Sequence, residues 1–182
     1  MIYIILLLVI LLLVGIILIY NGLVKQRNMV NNQKSQIDIQ LKRRFDLIPN
    51  LVEVVKGYSK YEKSTLEDIV FARNKYVSAN NDTEKQLEAD TYLNNALSKL
   101  FVLVESYPDL KANQNFLNLQ KELSTTEDKV AFSRQFYNDA VYKLNTKIQV
   151  FPSNLIASIF KFKEERYFEI NSNEKENINI NI

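Results

Sequence analysis

The 182 residues carry 23 Lys and Arg against 21 Asp and Glu, a formal net charge of +2, with no His and no Cys. Balanced, intermixed charge offers no field suited to nucleic acid. Without His or Cys there are no disulfides, thiolate nucleophiles, imidazole bases, Cys/His zinc sites or Glu-x-x-His pairs of a di-iron bundle. Only three Gly and three Pro occur, which argues against a turn-rich all-β or α/β architecture and for long helices.

The chain opens with nineteen uncharged residues, Ile2 to Tyr20, sixteen of them Ile, Leu or Val. As a helix this run is about 30 Å long, the thickness of a bilayer's hydrocarbon core. Its aliphatic side chains favour insertion by about 5–10 kcal/mol in total. Residues 1–22 therefore read as a transmembrane anchor. A cleaved signal peptide fits poorly: no basic residue precedes the run, and Tyr20-Asn21-Gly22-Leu23 provides no small-x-small site. Lys25, Arg27 and Lys34 follow the run. By the positive-inside rule the N-terminus is then expected outside and the bulk of the chain in the cytoplasm.

Behind the anchor, the punctuation predicts four long helical segments across residues 23–150. The first, about residues 21–45, places Leu23, Val30, Ile37 and Leu41 on one stripe, is either separate from the membrane helix or a continuation of it, and either ends or kinks near Pro49. The second, about residues 49–79, repeats Leu51, Val54, Tyr58, Tyr61, Thr65, Ile69, Ala72 and Tyr76, with Gly57 taken as a point of close packing. Thr83 and Gln86 have capping-box spacing, so the third starts at Thr83 and runs to about Ser106, before Tyr107-Pro108-Asp109. The fourth, about residues 111–150, carries Phe116, Leu119, Leu123, Val130, Tyr137, Val141, Leu144 and Ile148 in phase through Ser124-Thr125-Thr126. The expected fold class is all-α: an N-terminal transmembrane helix followed by an antiparallel up-and-down four-helix bundle. Residues 151–170 form a Phe-rich amphipathic segment, and the polar, repetitive residues 171–182 read as a disordered tail.

At this point SQIDIQLKRRFDLIPNLVEVVKGY (Ser35–Tyr58), FARN around Arg73, YPDLKANQNFLNLQKEL (Tyr107–Leu123) and IQVFPSNLIASIFKF (Ile148–Phe162) resemble the LemA family. The resemblance covers almost the whole chain. It implies a bacterial single-pass membrane protein with one N-terminal transmembrane helix and a cytoplasmic four-helix bundle. It carries over no catalytic residues. Related bundles in organelle-associated proteins favour a role in organising membranes over chemistry.

Several charged and polar groups invite a functional reading. Lys42-Arg43-Arg44 could clamp phosphate or lipid headgroups, but is expected to be a solvated basic helix end. Glu84 and Glu88, four apart, are expected as surface charges, and neither a metal nor a cofactor site is expected. Arg73, Arg134, Asn138 and Asn145 lie beside apolar stripes and are expected to form a polar network that sets helix register. Beyond Pro152, with Ser153 or Asn154 as cap, a helix is expected with Leu155, Ile156, Ile159, Phe160 and Tyr167 along one face. Phe151, Leu155, Ile156, Ile159, Phe160 and Phe162 then either contact the membrane or a partner, or fold back over the end of the bundle core.

The leading functional expectation is a non-enzymatic scaffold or interaction module. It would touch lipid through residues 2–20, bind a protein partner not named by the sequence, and take no nucleic acid or small-molecule substrate. The alternative is an adaptor or regulator of another membrane protein, a peptidase or transporter, recognised through the transmembrane helix.

Overall fold

The computed structural model describes residues 1–58, 63–80 and 82–168, and among them every regular element is a helix. In order these are α1 (Ile2–Asp46), α2 (Ile48–Lys56), α3 (Lys63–Ser78), α4 (Thr83–Val104), α5 (Pro108–Lys111), α6 (Gln114–Gln149) and α7 (Ser153–Ile159). The chain divides into two compact units, one made of Met1–Gln33 with the chain from Arg134 on, the other of Lys34–Ser133. Residues 171–182, expected to be a disordered tail, lie outside the described residues.

The helix does not stop with the apolar run at Tyr20. It continues without a break to Asp46 as one helix, because nothing between Asn21 and Arg44 is a helix breaker and Gly22 alone costs only about 1 kcal/mol. Leu23, Val30, Ile37 and Leu41 are all buried, as the stripe requires.

Only Leu47 separates α1 from α2, and it keeps right-handed helical angles. Pro49 has no N–H for the Phe45 carbonyl, so the ladder lacks that rung, and just before it Leu47 N–H reaches Arg44 O at 3.2 Å in a tighter turn. Phe45 is buried and stacks flat on Tyr76 of α3, with ring centroids 4.2 Å apart.

The second segment is not one helix. Gly57 ends α2 as its C-cap, and the nearest atom to a Cβ placed there is its own neighbour's carbonyl, Val54 O, at 3.4 Å. Gly57 is therefore a terminator rather than a close-packing point. Tyr58, expected in the core, is instead 41% exposed and accepts a 2.8 Å hydrogen bond from Asn113. Tyr61 lies outside the described residues. The remainder of the seam holds in α3, where Ile69 and Ala72 are fully buried.

The cap of α4 falls one residue earlier than the capping-box spacing suggests. Asp82 Oδ1 accepts from the backbone N–H groups of Glu84 and Lys85. The Thr83 hydroxyl is thereby released and donates to Asp38 at 2.8 Å. The fourth segment also begins in two pieces. Pro108 opens the single turn α5, and Asn113 Oδ1 then caps α6 by accepting from Asn115 and Phe116 N–H. From there α6 runs straight through Ser124-Thr125-Thr126, since the hydroxyls of Thr125 and Thr126 donate back to Lys121 O and Leu123 O. Phe116, Leu123, Val130, Tyr137 and Leu144, each seven residues from the last, are all buried.

The helix expected after Pro152 is shorter than its apolar pattern suggests, and Tyr167 is not on it. α7 ends at Ile159 in a Schellman motif, with Phe162 N–H bonded to Ala157 O and Lys161 N–H to Ser158 O. Lys161 takes the left-handed conformation, at φ 56°. Residues 162–168 then run without regular structure.

Candidate functional site

In the unit built from Met1–Gln33 and the chain from Arg134 on, two features meet: α7 and the strap of residues 162–168. Ile156 and Ala157 of α7 are buried with Leu23 of α1, and Ile16, Ile19, Tyr20, Ile148 and Phe162 pack around them. The Tyr20 ring lies 4.6 Å from Phe160 and 6.0 Å from Phe162, centroid to centroid. Arg27, two turns further along α1, places its guanidinium 5.1 Å above the Phe162 ring, a cation–π contact. Lys147 Nζ reaches Gly22 O at 3.5 Å, and a Cβ at Gly22 would stand 3.0 Å from that ammonium. Gly22 thus lets the lysine approach the backbone.

Of the six residues considered for membrane or partner contact, two turn inward. Ile156 is 7% exposed and Phe162 is half-buried, whereas Phe151, Leu155, Ile159 and Phe160 are 78, 55, 70 and 50% exposed. The division follows from the helix itself. Ile156 and Ala157 face α1, so Leu155 and Ile159, one turn apart, face away.

The strap is held by α6. Asn145 donates to Glu165 O at 2.9 Å and accepts from Glu165 N–H at 3.0 Å. Asn138 does the same with Phe168, at 3.0 and 2.9 Å. Each amide thereby imitates one residue of a neighbouring β-strand. Between these clamps the Tyr137 hydroxyl donates to Arg166 O at 3.1 Å, and its ring lies 4.5 Å from that of Phe168. Burial raises the Tyr137 pKa above 10.0, with the Glu165 carboxylate adding to the shift. Asn138 and Asn145 are therefore brought together on one strap. Arg134 sits half-buried one turn before Asn138, and Arg73 is half-buried on α3 in the other unit.

In the Lys34–Ser133 unit the notable group is one that the basic-run reading misplaced. Arg44 is not a solvated helix end. It is 1% exposed and pairs at 2.6 Å with Asp90 of α4, itself 2% exposed, while its second terminal nitrogen meets Glu127 of α6 at 3.2 Å. A signal for this was present. Leu23, Val30 and Ile37 are followed at the same seven-residue step by Arg44, and Asp90 lies between Thr83 and Leu97 in the same way; all are buried. Opposite charges at two core positions point to a buried pair. Glu88, by contrast, meets Lys75 at 2.7 Å with more than half its surface exposed.

No three carboxylates among the described residues converge to hold a metal ion. A cleft of about 480 Å3 lies where Asn50 and Glu53 of α2 face Asn118 and Glu122 of α6. It is shallow and presents amides and carboxylates without a nucleophile or base partner.

A model of the LemA family matches residues 33–182. The chain is similar to Protein LemA of Metamycoplasma hominis, at 27% identity over 86% of this chain and 75% of that protein. It is also similar to Magnetosome protein MamQ 2 of Paramagnetospirillum magneticum (27% identical) and Magnetosome protein MamQ of Magnetospirillum gryphiswaldense (25%). In both cases 82% of this chain matches 64% of the relative, so it spans less than two thirds of the magnetosome proteins. The match covers most of the chain, including α2 to α7 and the greater part of the helical body, and the protein is a member of the LemA family.

Proposed function

We propose that this protein is a non-enzymatic, single-pass membrane scaffold. Its N-terminus lies outside and its helical body in the cytoplasm, where it presents a surface to a protein partner. One observation carries the reading: residues 2–14 of α1 are apolar and exposed throughout, yet the same helix runs on into a packed body. A helix that its own chain leaves uncovered needs lipid as solvent. Lys25 and Arg27 immediately beyond it favour the cytoplasmic side for the body. The helices of residues 23–150 are proposed to close as an antiparallel up-and-down four-helix bundle. Within Lys34–Ser133 this is supported by the Arg44–Asp90 and Arg44–Glu127 pairs, the Phe45–Tyr76 stack and the Phe101–Phe116 edge contact. Similarity to proteins named for the magnetosome is consistent with a membrane-associated protein.

The bare apolar helix also favours a second reading, an adaptor that recognises a peptidase or transporter through that helix. The two are separated by exchanging residues 2–20 for an unrelated transmembrane helix and crosslinking in intact cells. Retention of the crosslinked partners supports the scaffold; their loss supports the adaptor. Orientation is read separately. The chain has no Cys, so Ser98→Cys, at an exposed position of α4, should resist a membrane-impermeant thiol reagent until the cells are lysed. Labelling of intact cells overturns the cytoplasmic placement.

A further inference from the structure

We infer that α7 is an interfacial membrane element: Phe151, Leu155, Ile159 and Phe160 enter the lipid of the bilayer that α1 crosses. The inference rests on insertion of α1, and adds to it a second lipid-contacting surface of stated depth. From Ile2 to Tyr20 the run rises about 28 Å, so Ile16 and Ile19 lie within the last turns of the hydrocarbon core and Tyr20 at its boundary. Those are the residues against which Ile156 and Ala157 pack. Phe160 is tied to the same level by its ring contact with Tyr20. An element fastened there cannot stand clear of the membrane.

The chemistry of the outward side agrees with that depth. Leu155 and Ile159 point away from α1, and Phe151 is the most exposed of the group at 78%. Apolar side chains at such positions would be costly in water and are favourable in the acyl region. Charge begins where the apolar surface stops. Arg27 and Lys147 lie beyond Tyr20 and Gly22, and Lys161, Lys163 and Arg166 follow α7, in net excess over the neighbouring Glu164 and Glu165. Cations at that level suit the phosphate layer of the headgroups. Apolar residues at one depth and cations at the next describe a bilayer boundary better than a protein surface, which would have no reason to sort them by height.

The full chain has no Trp, so single-Trp variants report local surroundings without background. Phe151→Trp, Leu155→Trp, Ile159→Trp and Phe160→Trp are each reconstituted in vesicles of phosphatidylcholine and phosphatidylglycerol, with Leu8→Trp marking the anchor and Val102→Trp the exposed body. The expected result is blue-shifted emission from all four α7 variants, lost when the acyl chains are brominated near the headgroup and insensitive to aqueous iodide. Val102→Trp should show the reverse. Quenching by iodide but not by bromolipid overturns the inference. Protection from both also overturns it, since a second copy or another protein then covers the face. Leu8→Trp separates the two readings: if it is quenched by bromolipid while α7 is not, only the inference fails, and if it is not quenched, membrane insertion itself fails. Phe160→Trp retains an aromatic ring beside Tyr20, so it decides the question should another variant lose its helical circular dichroism.

Discussion

Arg44 on α1 and Asp90 on α4 lie 2.6 Å apart, and less than a fiftieth of the Arg44 side chain reaches solvent. Removing water from two charges is offset only while both are present. Asp90→Ala leaves the buried guanidinium with the half-exposed Glu127 in place of its close buried partner, and should lower stability by up to about 3–5 kcal/mol. The double variant Arg44→Met/Asp90→Leu should recover most of that loss, because no charge is left buried. Urea unfolding of the full chain in micelles, followed by circular dichroism, measures both. A double variant as unstable as Asp90→Ala would show that the pair contributes more than mutual neutralisation.

Asn145 holds both backbone groups of Glu165. Its truncation in Asn145→Ala removes two hydrogen bonds, worth about 1–3 kcal/mol together. The effect should be local. Amide exchange at Glu165 and Phe168 should accelerate while protection in α4 is unchanged. Uniform loss of protection would mean instead that the strap is integral to the global fold.

Three titrations, one of a carboxyl and two of phenols, contribute to the pH dependence of stability with opposite signs. Asp82 has its pKa lowered, chiefly by the Lys85 backbone N–H. Its contribution is present above the unfolded value of 3.8 and is lost as pH falls through the lower folded value. Tyr137 has its pKa raised, first by burial, so its contribution is full below 10.0 and is lost as pH rises through the folded value. Tyr76 is raised for the same first reason, with Asp46 and Asp38 adding to it. Melting temperature against pH should therefore fall at both ends. Asp82→Asn, which keeps a capping oxygen, should flatten part of the acid limb, and Tyr137→Phe part of the alkaline limb.

Lys161 occupies the left-handed position of the Schellman motif, where a side chain is disfavoured by about 1–2 kcal/mol. Lys161→Gly relieves this and should raise stability by up to about 1 kcal/mol, the rest being offset by the greater freedom of glycine when unfolded. Lys161→Val should do the opposite. Thermal melts of the three chains decide it, and a Lys161→Gly variant less stable than the parent would show that the ammonium makes a contribution of its own.

What the sequence determined by itself is whatever repeats locally. The apolar run of residues 2–20, the seven-residue stripes of α1 and α6 and the passage of α6 through three hydroxyl residues all rest on neighbours within a turn or two, and each was legible in the order of residues. Chain breaks were legible only as punctuation: Pro49 gave a one-residue interruption, while Gly57 ended a helix although the apolar spacing runs past it. The tertiary structure decided everything that depends on a distant partner. Arg44 is buried because Asp90 arrives from 46 positions away. Asn138 and Asn145 become clamps because residues 30 and 20 positions on return to lie along α6. α7 stops at Ile159, although its apolar spacing runs on to Tyr167, and there Phe162 turns back, its N–H bonded to Ala157 O and its ring against Tyr20. Periodicity encodes which face of a helix is apolar; it does not encode what that face will meet, because the meeting is set by loop closure and packing between elements far apart in the chain.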